Sequence, residues 1–477
     1  MFQQSTMHNL AVQRLSYRAL WCGCTEAGTT QESVAEYVER IHRAGINCII
    51  VHLKGGDGSV YWKSDTFPEA TPEGYREFDL PGALLRESRK RGMRIEAWLI
   101  DFFEGRNGAA IKAHPEWAMT NANGEPTTSE TLRGEPYSCL WMCPARRPGY
   151  TDQWLVPLYR EFAQKYDFDA VHHDYVRYPG DLAPDRYCFC DYCLEDMPRF
   201  NRFRTDVHRE KPFYHEYYDR PYVESHWEQS PRVLPANWDN LPRSMKSRFL
   251  LEGSFFQTGR NDLDYFFYSY RTHWITEFTQ MAAKAVRSVR PSMEISAAVF
   301  KNPIHSGRFI GQDWRTFVPY VGGCIPMNYR DHYPGTFDEY LGLLMETIAD
   351  QKVWARDFRH YWPGAAINFL FVEEERPLKA IQRALENGED YSNEYTKIAP
   401  RLRACAPKVA EALESGNGRN EFDSFVEAIP PSYWPKEKLV RLIETISETG
   451  VDGMSLFCEG HLHQYGLWDT LTDLWGE

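Results

Sequence analysis

The chain has 477 residues, a formal net charge of −13 and 43% hydrophobic residues, the composition of a globular protein with a large core. An acidic chain without a basic stripe argues against nucleic-acid binding, and no run of roughly 20 apolar residues predicts a membrane span. Residues 1–15 do not read as a signal peptide, so a cytoplasmic location is expected unless a leader precedes the sequence.

Apolar strand-like runs alternate with helical patterns along the chain. The first helix is expected to begin at a Thr29-x-x-Glu32 capping box, and another spans about residues 81–91. A long helix over residues 263–289 precedes the fifth strand. The predicted strands are residues 17–24, 46–53, 93–100, 169–176, 294–300, 323–329, 365–371 and 453–458. Eight such repeats predict an α/β protein with a (β/α)8 TIM-barrel fold.

An open, doubly wound sheet is the main alternative to the barrel. Its cofactor-binding versions carry a Gly-x-Gly-x-x-Gly turn after the first strand, and residues 23–28 lack that spacing. A P-loop, a Gly-x-Ser-x-Gly elbow and a His-Glu-x-x-His helix are also missing from the sequence. These absences favour the barrel, and no cofactor is expected.

Two long insertions interrupt the repeating pattern. Residues 180–261 follow the fourth strand, are dense in Tyr, Trp, His and Pro, and are expected to form a subdomain or lid. Residues 373–433 follow the seventh strand and are expected to be partly helical. We therefore predict a single decorated barrel over residues 1–477, which could form a homo-oligomer.

The eleven cysteines are unevenly distributed. Four lie in or beside apolar strand-like runs, where a free thiol packs as a small hydrophobic group: Cys22, Cys48, Cys324 and Cys458. Cys188, Cys190 and Cys193 form a C-x-C-x-x-C cluster, whose spacing suits zinc or a disulfide. A closed zinc site needs a fourth ligand, which would have to be Asp191, a histidine, Cys139 or Cys143. We therefore expect reduced thiols packed in a loop, with a structural metal as the alternative.

A group of polar residues ends the fourth predicted strand, where the working residues of a barrel collect. Asp174 lies there with His172, His173, Arg177 and Tyr178 close in sequence. The histidines and Arg177 are expected to keep Asp174 ionised and oriented. Strand alternation places His172 on the same side as Asp174. A purely structural ion pair between Asp174 and Arg177 is the alternative.

Several short strings, in the same order, resemble the glycosyl-hydrolase-like barrels of the family-10-like group. The strings are RALW (18–21), GDGSVYWKS (56–64), GMRIEAW (92–98), HPEW (114–117), FDAVHHDYVRYP (168–179), ISAAV (295–299), GQDW (311–314) and PMNY (326–329). The resemblance covers residues 18 to about 330. It implies a TIM-barrel glycosidase related to the α-galactosidase superfamily, acting on a carbohydrate substrate. It does not indicate which sugar.

Glycosidic cleavage usually needs two carboxyl groups, one to protonate the leaving oxygen and one to attack or to activate water. Asp174 is expected to be the nucleophile of a retaining reaction. The resemblance implies that Asp331, after the sixth strand, is the acid/base. Glu459, Asp101 and Glu373 follow other strands and are alternatives. Each could instead be a solvated loop acid.

Other strand-end side chains are expected to bind the substrate through its hydroxyls or its apolar face. They are Lys54, Trp98, Asp101, His172, Arg177, Tyr178, Asn328, Tyr329 and His461. Trp98 could instead be core, and His461 with His463 could cap the last helix. The pairs His172-His173 and His461-x-His463 also allow a metal-dependent hydrolase or deacetylase, although the usual His-x-His after the first strand is missing. A catalytically silent, glycan-binding barrel is the remaining alternative.

Overall fold

A closed ring of eight parallel strands forms the centre of the molecule. The computed structural model describes residues 15–129, 140–179, 187–197, 237–252, 262–416 and 418–476. The strands are β1 Tyr17–Cys22, β2 Cys48–Lys54, β3 Arg94–Ile100, β4 Ala170–Asp174, β5 Glu294–Phe300, β6 Gly323–Met327, β7 Gly364–Ala366 and β8 Gly453–Phe457. Each pairs with its neighbour in chain order, and β8 pairs with β1. The predicted (β/α)8 barrel is therefore confirmed.

Helices surround the barrel. The longer ones are α1 Gln31–Arg43, α2 Leu80–Lys90, α3 Val156–Lys165, α4 Arg243–Glu252, α5 Asp262–Val289, α6 Phe337–Trp354, α7 Val372–Asn387, α8 Ser392–Cys405, α9 Pro407–Glu414, α10 Arg419–Glu427, α11 Glu437–Glu448 and α12 Trp468–Trp475. Four of these, α7 to α10, follow β7 in succession. Within the described residues, no helix has the length and apolar character needed to cross a bilayer.

In helix α1, the local sequence determines where the helix begins and which face is buried. Thr30 is extended at the N-cap, and its hydroxyl accepts a hydrogen bond from the Ser33 N–H at 3.1 Å, while the Ser33 hydroxyl caps Thr30 in return. The predicted capping box at Thr29 and Glu32 was wrong by one residue. Downstream, the buried residues recur at helical spacing, so one face of α1 packs on the barrel: Val34, Tyr37, Val38 and Ile41.

The apolar core has two parts, because successive residues of a strand point to opposite sides of the barrel wall. Ile49 and Val51 of β2 belong to the large core between strands and helices, whereas Cys48 and Ile50 point inward. The inner core is small and contains Ala19, Trp21, Cys48, Ile50, Ala298, Ile325 and Trp362. Partly buried aromatic residues cover it, and these form the floor of the site described below.

Some predicted boundaries differ from the structure. The seventh strand ends at Ala366 instead of residue 371, because the chain turns at once: the Leu370 N–H donates to the Ile367 carbonyl at 3.1 Å and α7 begins at Val372. Most of the predicted 180–261 insertion lies outside the described residues. Its described parts are residues 187–197 and 237–252, the second of which includes α4.

Candidate active site

Asp174 ends β4 with both carboxylate oxygens held by hydrogen-bond donors. Oδ1 accepts the Tyr175 backbone N–H at 2.7 Å, and Oδ2 accepts the Trp98 indole Nε1–H at 3.1 Å. Trp98 lies opposite His172 in the pairing of β3 with β4, so the two strands together fix the carboxylate. The side chain is half-buried. Asp174 is thus an oriented acid at the carboxyl end of the barrel.

Tyr175 has the backbone conformation that turns the chain out of β4. Its φ is 52°, in the left-handed region that a bulky residue rarely adopts. Such strain is of order 1–3 kcal/mol and tends to occur at functional sites. The turn places the Tyr175 ring 4.8 Å from the guanidinium of Arg177. The same residue donates its N–H to Asp174.

Arg177 lies in a cage of aromatic rings. Its guanidinium is 5.1 Å from the Trp141 ring and 4.8 Å from the Phe300 ring, and one Nη donates to the Tyr178 carbonyl at 3.3 Å. Within the described part of the chain it makes no ion pair with a carboxylate, and its Nε–H has no acceptor. The structural Asp174–Arg177 ion pair that the sequence allowed is therefore not formed, although Arg177 still acts on Asp174 electrostatically.

Burial dominates the protonation of Asp174. Loss of solvent raises the pKa of this carboxyl to about 6, although the Tyr175 N–H, Arg177 and the Trp98 indole all act in the opposite direction. The sequence predicted that His172, His173 and Arg177 would keep Asp174 ionised and oriented. Arg177 does favour the ionised form, but desolvation outweighs it and raises the pKa. Asp174 is therefore close to half-protonation in weakly acidic solution.

His172 lies below Asp174 inside the barrel. Its Nδ1 is 2.7 Å from the Ser296 hydroxyl, which donates its own proton to Glu96. His172 therefore donates from Nδ1, and its Nε2 is an unprotonated acceptor. Burial lowers the pKa of His172 to about 3, so the ring is neutral. Since it is fully buried, His172 supports the floor of the site instead of binding substrate directly.

His173 and Asp101 lie on the opposite side of the barrel wall. The Tyr159 hydroxyl of α3 donates to Asp101 Oδ1 at 2.7 Å, and His173 Nδ1 is 2.9 Å from Asp101 Oδ2. All three side chains are buried, and burial raises the pKa of Asp101. Both Asp101 oxygens are occupied in the layer between barrel and helix. This corrects the expectation that Asp101 binds substrate at the mouth.

Lys54 and Asn328 are also structural. Lys54 is 1% exposed, donates to the Ile100 carbonyl at 2.7 Å and pairs with Glu104 at 3.2 Å. Asn328 is fully buried and exchanges two amide hydrogen bonds with Gln351, at 3.0 and 2.8 Å. Neither side chain has a free group for a ligand. Both substrate-binding assignments are therefore corrected.

Glu459 faces helix α1 and not the barrel mouth. The Tyr37 hydroxyl donates to its Oε2 at 2.6 Å, and Arg40 donates to its Oε1 at 2.9 Å. The Glu459 side chain is buried, and this burial raises its pKa. Its contacts assign Glu459 to the packing of α1, which corrects the catalytic assignment. Tyr178 is likewise 1% exposed and lies beside buried thiols instead of the mouth.

Aromatic rings line the barrel mouth around Asp174. Trp98 lies 4.3 Å from the His52 ring and 6.2 Å from both the Trp21 and Phe457 rings. Tyr329 stacks on Phe457 at 5.6 Å. Trp98 and Tyr329 were predicted from the sequence, but the other three were not. In the sequence, only the inward-facing positions of Trp21, His52 and Phe457 near strand ends indicate a place at the mouth. Strand alternation alone does not distinguish a site residue from a core residue.

Asp331 lies on the turn Arg330–His332 after β6, with a side chain 39% exposed. Burial raises the pKa of the Tyr329 phenol, and the next contribution comes from Asp174, with Asp331 also contributing. Tyr329 is therefore in electrostatic reach of both acids. Lys301, at the end of β5, also senses Asp331, which opposes the lowering of its pKa by burial. Asp174 and Asp331 thus both act electrostatically on Tyr329, and Asp331 also acts on Lys301.

Two further sequence candidates have mixed outcomes. His461 is half-buried in the short helix Glu459–Gln464 after β8, with Nδ1 3.3 Å from Cys458 Sγ and its ring 6.2 Å from Phe457, so it lies at the rim. Glu373 pairs with Arg330 at 3.0 Å and with Lys438 at 2.8 Å, contacts that fasten α7. Glu373 is therefore structural.

The histidine pairs do not assemble a metal site. His172 faces inward and His173 outward, while His463 lies 3.9 Å from Glu459 and packs on Trp468. Among the described residues, the group of ligand side chains within reach of one ion consists of four cysteines. A histidine-based metal centre at the mouth has no support from this arrangement.

One solved structure supports the fold, and two others show a weaker likeness from which nothing is argued. The glycoside hydrolase domain of PgaB (BpsB) from Bordetella bronchiseptica matches with a TM-score of 0.56 and 12% identity, over 96% of this chain and 99% of that chain. The catalytic domain of β-amylase from Paenibacillus polymyxa has a TM-score of 0.49 and 11% identity, over 94% and 93%. A β-galactosidase from Rahnella sp. R3 has a TM-score of 0.48 and 13% identity, over 74% and 45%. At these identities the likeness concerns the fold alone.

No curated protein matches the sequence. A family model does match, over residues 19–400, and its description is "Putative glycosyl hydrolase domain". The match runs from within β1 to beyond β7 and includes Asp174 and Asp331. The chain therefore belongs to this glycosyl hydrolase family.

Proposed function

We propose that this protein is a glycosidase that cleaves its substrate with two carboxyl groups, Asp174 and Asp331. The observation that carries the proposal is the setting of Asp174: both oxygens oriented by donors, at a barrel mouth lined with aromatic rings, with burial raising its pKa to about 6. Family membership supports the reaction class. A relationship to the family-10-like group stays a prediction from the sequence.

The role of Asp174 follows from its protonation. A general acid must hold a proton near the working pH, and enzymes achieve this by placing a carboxyl in an apolar environment. Asp174 has such an environment, since Trp98 and Tyr329 lie beside it and burial is the largest influence on its pKa. We therefore assign Asp174 as the acid/base. This replaces the sequence-based hypothesis that Asp174 is the nucleophile.

Asp331 then takes the role of the partner carboxyl. Its side chain is more open to water, and no cation in the described residues forms a close ion pair with it except the weak contact of His332 at 3.9 Å. Such a carboxylate can attack the anomeric carbon or activate a water. Tyr329, which senses both acids, would hydrogen-bond the sugar between them. The retaining or inverting outcome depends on the separation of the two carboxyl groups in the substrate complex.

The aromatic mouth suits a carbohydrate. Sugar rings have an apolar face and a hydroxylated edge, and aromatic side chains bind the face while polar groups bind the edge. Trp98 and Tyr329 supply rings with polar tips, and His461 lies at the rim. Arg177 remains a candidate for a hydroxyl or an anionic substituent. The carbohydrate partner, the cytoplasmic location and a homo-oligomeric state stay predictions.

The test begins with a panel of aryl glycosides and polysaccharides, followed by variants on any substrate that is cleaved. Asp174→Ala should lose about 10²–10⁴ in kcat on substrates with poor leaving groups, the usual contribution of general acid catalysis. It should lose much less on dinitrophenyl glycosides, whose leaving group needs no proton. Asp331→Ala should lose activity on both classes. Glu459→Gln is the matched control, because that buried acid lies away from the mouth.

Exogenous azide completes the experiment. Azide should restore turnover to the variant that has lost its nucleophile or base, and the configuration of the glycosyl azide reports the stereochemistry. Unchanged turnover by Asp174→Ala on all substrates would refute the assignment. If oligosaccharides bind to the wild-type protein but no glycoside in the panel is cleaved, the glycan-binding alternative is favoured instead.

A further inference from the structure

Four cysteine sulfurs from two separate segments meet beside the candidate active site. They belong to Cys143, Cys188, Cys190 and Cys193, all buried, and their Sγ atoms lie within 4.8 Å of one another. Cys143 Sγ is 3.5 Å from Cys193 Sγ and 3.8 Å from Cys190 Sγ. The sequence left Cys143 as one of several possible fourth ligands and favoured reduced thiols. The structure selects Cys143 and completes a set of four.

The sulfur separations match a metal and exclude disulfides in this arrangement. A disulfide requires about 2.05 Å between sulfurs, and all four thiols are free. Zinc bound by four thiolates has Zn–S distances of about 2.3 Å, so tetrahedral geometry puts neighbouring sulfurs about 3.8 Å apart. We propose that Cys143, Cys188, Cys190 and Cys193 bind one structural Zn²⁺ ion.

Local geometry supports this assignment. Cys190 and Cys193 are joined by a helical turn in which the Leu194 N–H donates to the Cys190 carbonyl at 3.0 Å. This turn keeps the Cys190 and Cys193 sulfurs within 4.8 Å of each other, close enough to bind one ion.

Positive charge is also available around the cluster. Four thiolates and one Zn²⁺ carry a net charge of about −2. Arg243 donates to the Phe189 carbonyl at 2.6 Å and pairs with Asp191, within the segment that carries three of the ligands. The buried guanidinium of Arg271 lies 4.6 Å from the Tyr178 ring. Arg271 also donates to the Tyr187 carbonyl, next to Cys188, so one buried cation lies near the cluster, whereas the charge of Arg243 is paired with Asp191.

The site would fasten two loops at the carboxyl end of the barrel. Cys143 follows the short strand Leu140–Trp141 and donates its N–H to the Trp117 carbonyl at 2.8 Å. Phe189 donates to the Thr120 carbonyl at 2.7 Å. Trp141 in turn contacts Arg177, three residues beyond Asp174. Zinc here would hold the framework of the mouth without taking part in the reaction, and this inference does not depend on the proposed activity.

Metal analysis of the purified full-length protein tests the proposal. Protein expressed with added zinc should contain about one zinc per chain by inductively coupled plasma and native mass spectrometry. Cys143→Ala and Cys190→Ala should each lose most of that zinc and melt at a lower temperature. Cys324→Ala is the matched control, since it removes a buried thiol of β6 outside the cluster and should keep the metal.

The wild-type protein gives an independent readout if the variants do not fold. Unfolding it with a thiol-modifying mercurial should release one zinc to a chromogenic chelator, and Co²⁺ replacement should give the intense sulfur-to-metal charge-transfer bands of a thiolate site. A zinc content far below one per chain would overturn the proposal. So would iron in place of zinc, or a mass decrease of about 2 Da showing a disulfide among these cysteines.

Discussion

Replacing Asp174 with Asn should change stability with a sign that depends on pH. The folded protein raises the pKa of Asp174 from 3.8 to about 6. A carboxyl whose pKa is higher in the folded state favours folding only while it is protonated. Its stabilising contribution is therefore complete below the unfolded pKa and is lost as the pH rises through the folded pKa.

The magnitude follows from the size of the shift. A difference of about two pKa units corresponds to about 3 kcal/mol of stability lost between pH 4 and pH 8. Asn carries no charge, so the variant does not lose this stability as the pH rises. It presents one acceptor where Asp174 has two, so either the Trp98 or the Tyr175 donor loses its partner, at about 1 kcal/mol. The variant should be about 2 kcal/mol more stable at pH 8 and slightly less stable at pH 4.

Urea unfolding of both proteins at several pH values between 4 and 8 measures this difference. The control is Asp350→Asn, which removes an exposed aspartate from α6 and reports the effect of net charge alone. The expected result is a change of sign for Asp174→Asn near pH 5 and a flat difference for the control. A variant that is less stable at every pH, with no pH trend, would refute the claim that Asp174 is desolvated.

Three further predictions concern residues around the site. Trp98→Phe keeps the ring beside His52 but removes the donor to Asp174. Because a hydrogen bond to a charged group is worth about 1.5–3 kcal/mol, the variant should raise the Asp174 pKa by about one unit. A ¹³C NMR titration or the basic limb of a kcat/KM profile would show this rise. Glu104→Gln leaves the buried Lys54 ammonium without its carboxylate partner, so it should destabilise the fold by about 3–5 kcal/mol. Urea unfolding should show this as a lower midpoint. A loss of stability below about 1 kcal/mol would contradict a buried ion pair. Glu459→Gln should lower the melting temperature, because it weakens the contact with α1, and should leave kcat nearly unchanged. If the variant folds normally but loses turnover, Glu459 is a catalytic candidate after all.

Periodicity was enough to predict the barrel, and it placed Asp174 at the end of a strand. The fifth strand has the same bounds in the sequence analysis and in the structure, because its apolar run stops at charged and turn-forming neighbours on both sides. The seventh strand was predicted to be longer than it is. Its apolar residues continue past Ala366 into a turn and α7, and a continuous apolar run does not show where one element passes into the next.

Side-chain direction explains the remaining differences at the site. Lys54, Asn328 and Glu459 stand at strand ends, where the sequence predicts functional residues, yet each is bound by a partner distant in the chain. The partners of Glu459 are separated from it by more than 400 positions and come close only when β8 closes the ring against β1. No local pattern contains that information.

The order and spacing of apolar and polar residues determined the class of fold and placed an acid at the carboxyl end of β4, because both depend on chain-local geometry. The closed barrel alone decided which acids reach the mouth and how far burial raises the pKa of Asp174. It also decided that Cys143 joins the other three thiols. Burial and long-range contacts exist only after the strands have paired, so desolvation and ligand geometry are properties of the tertiary structure.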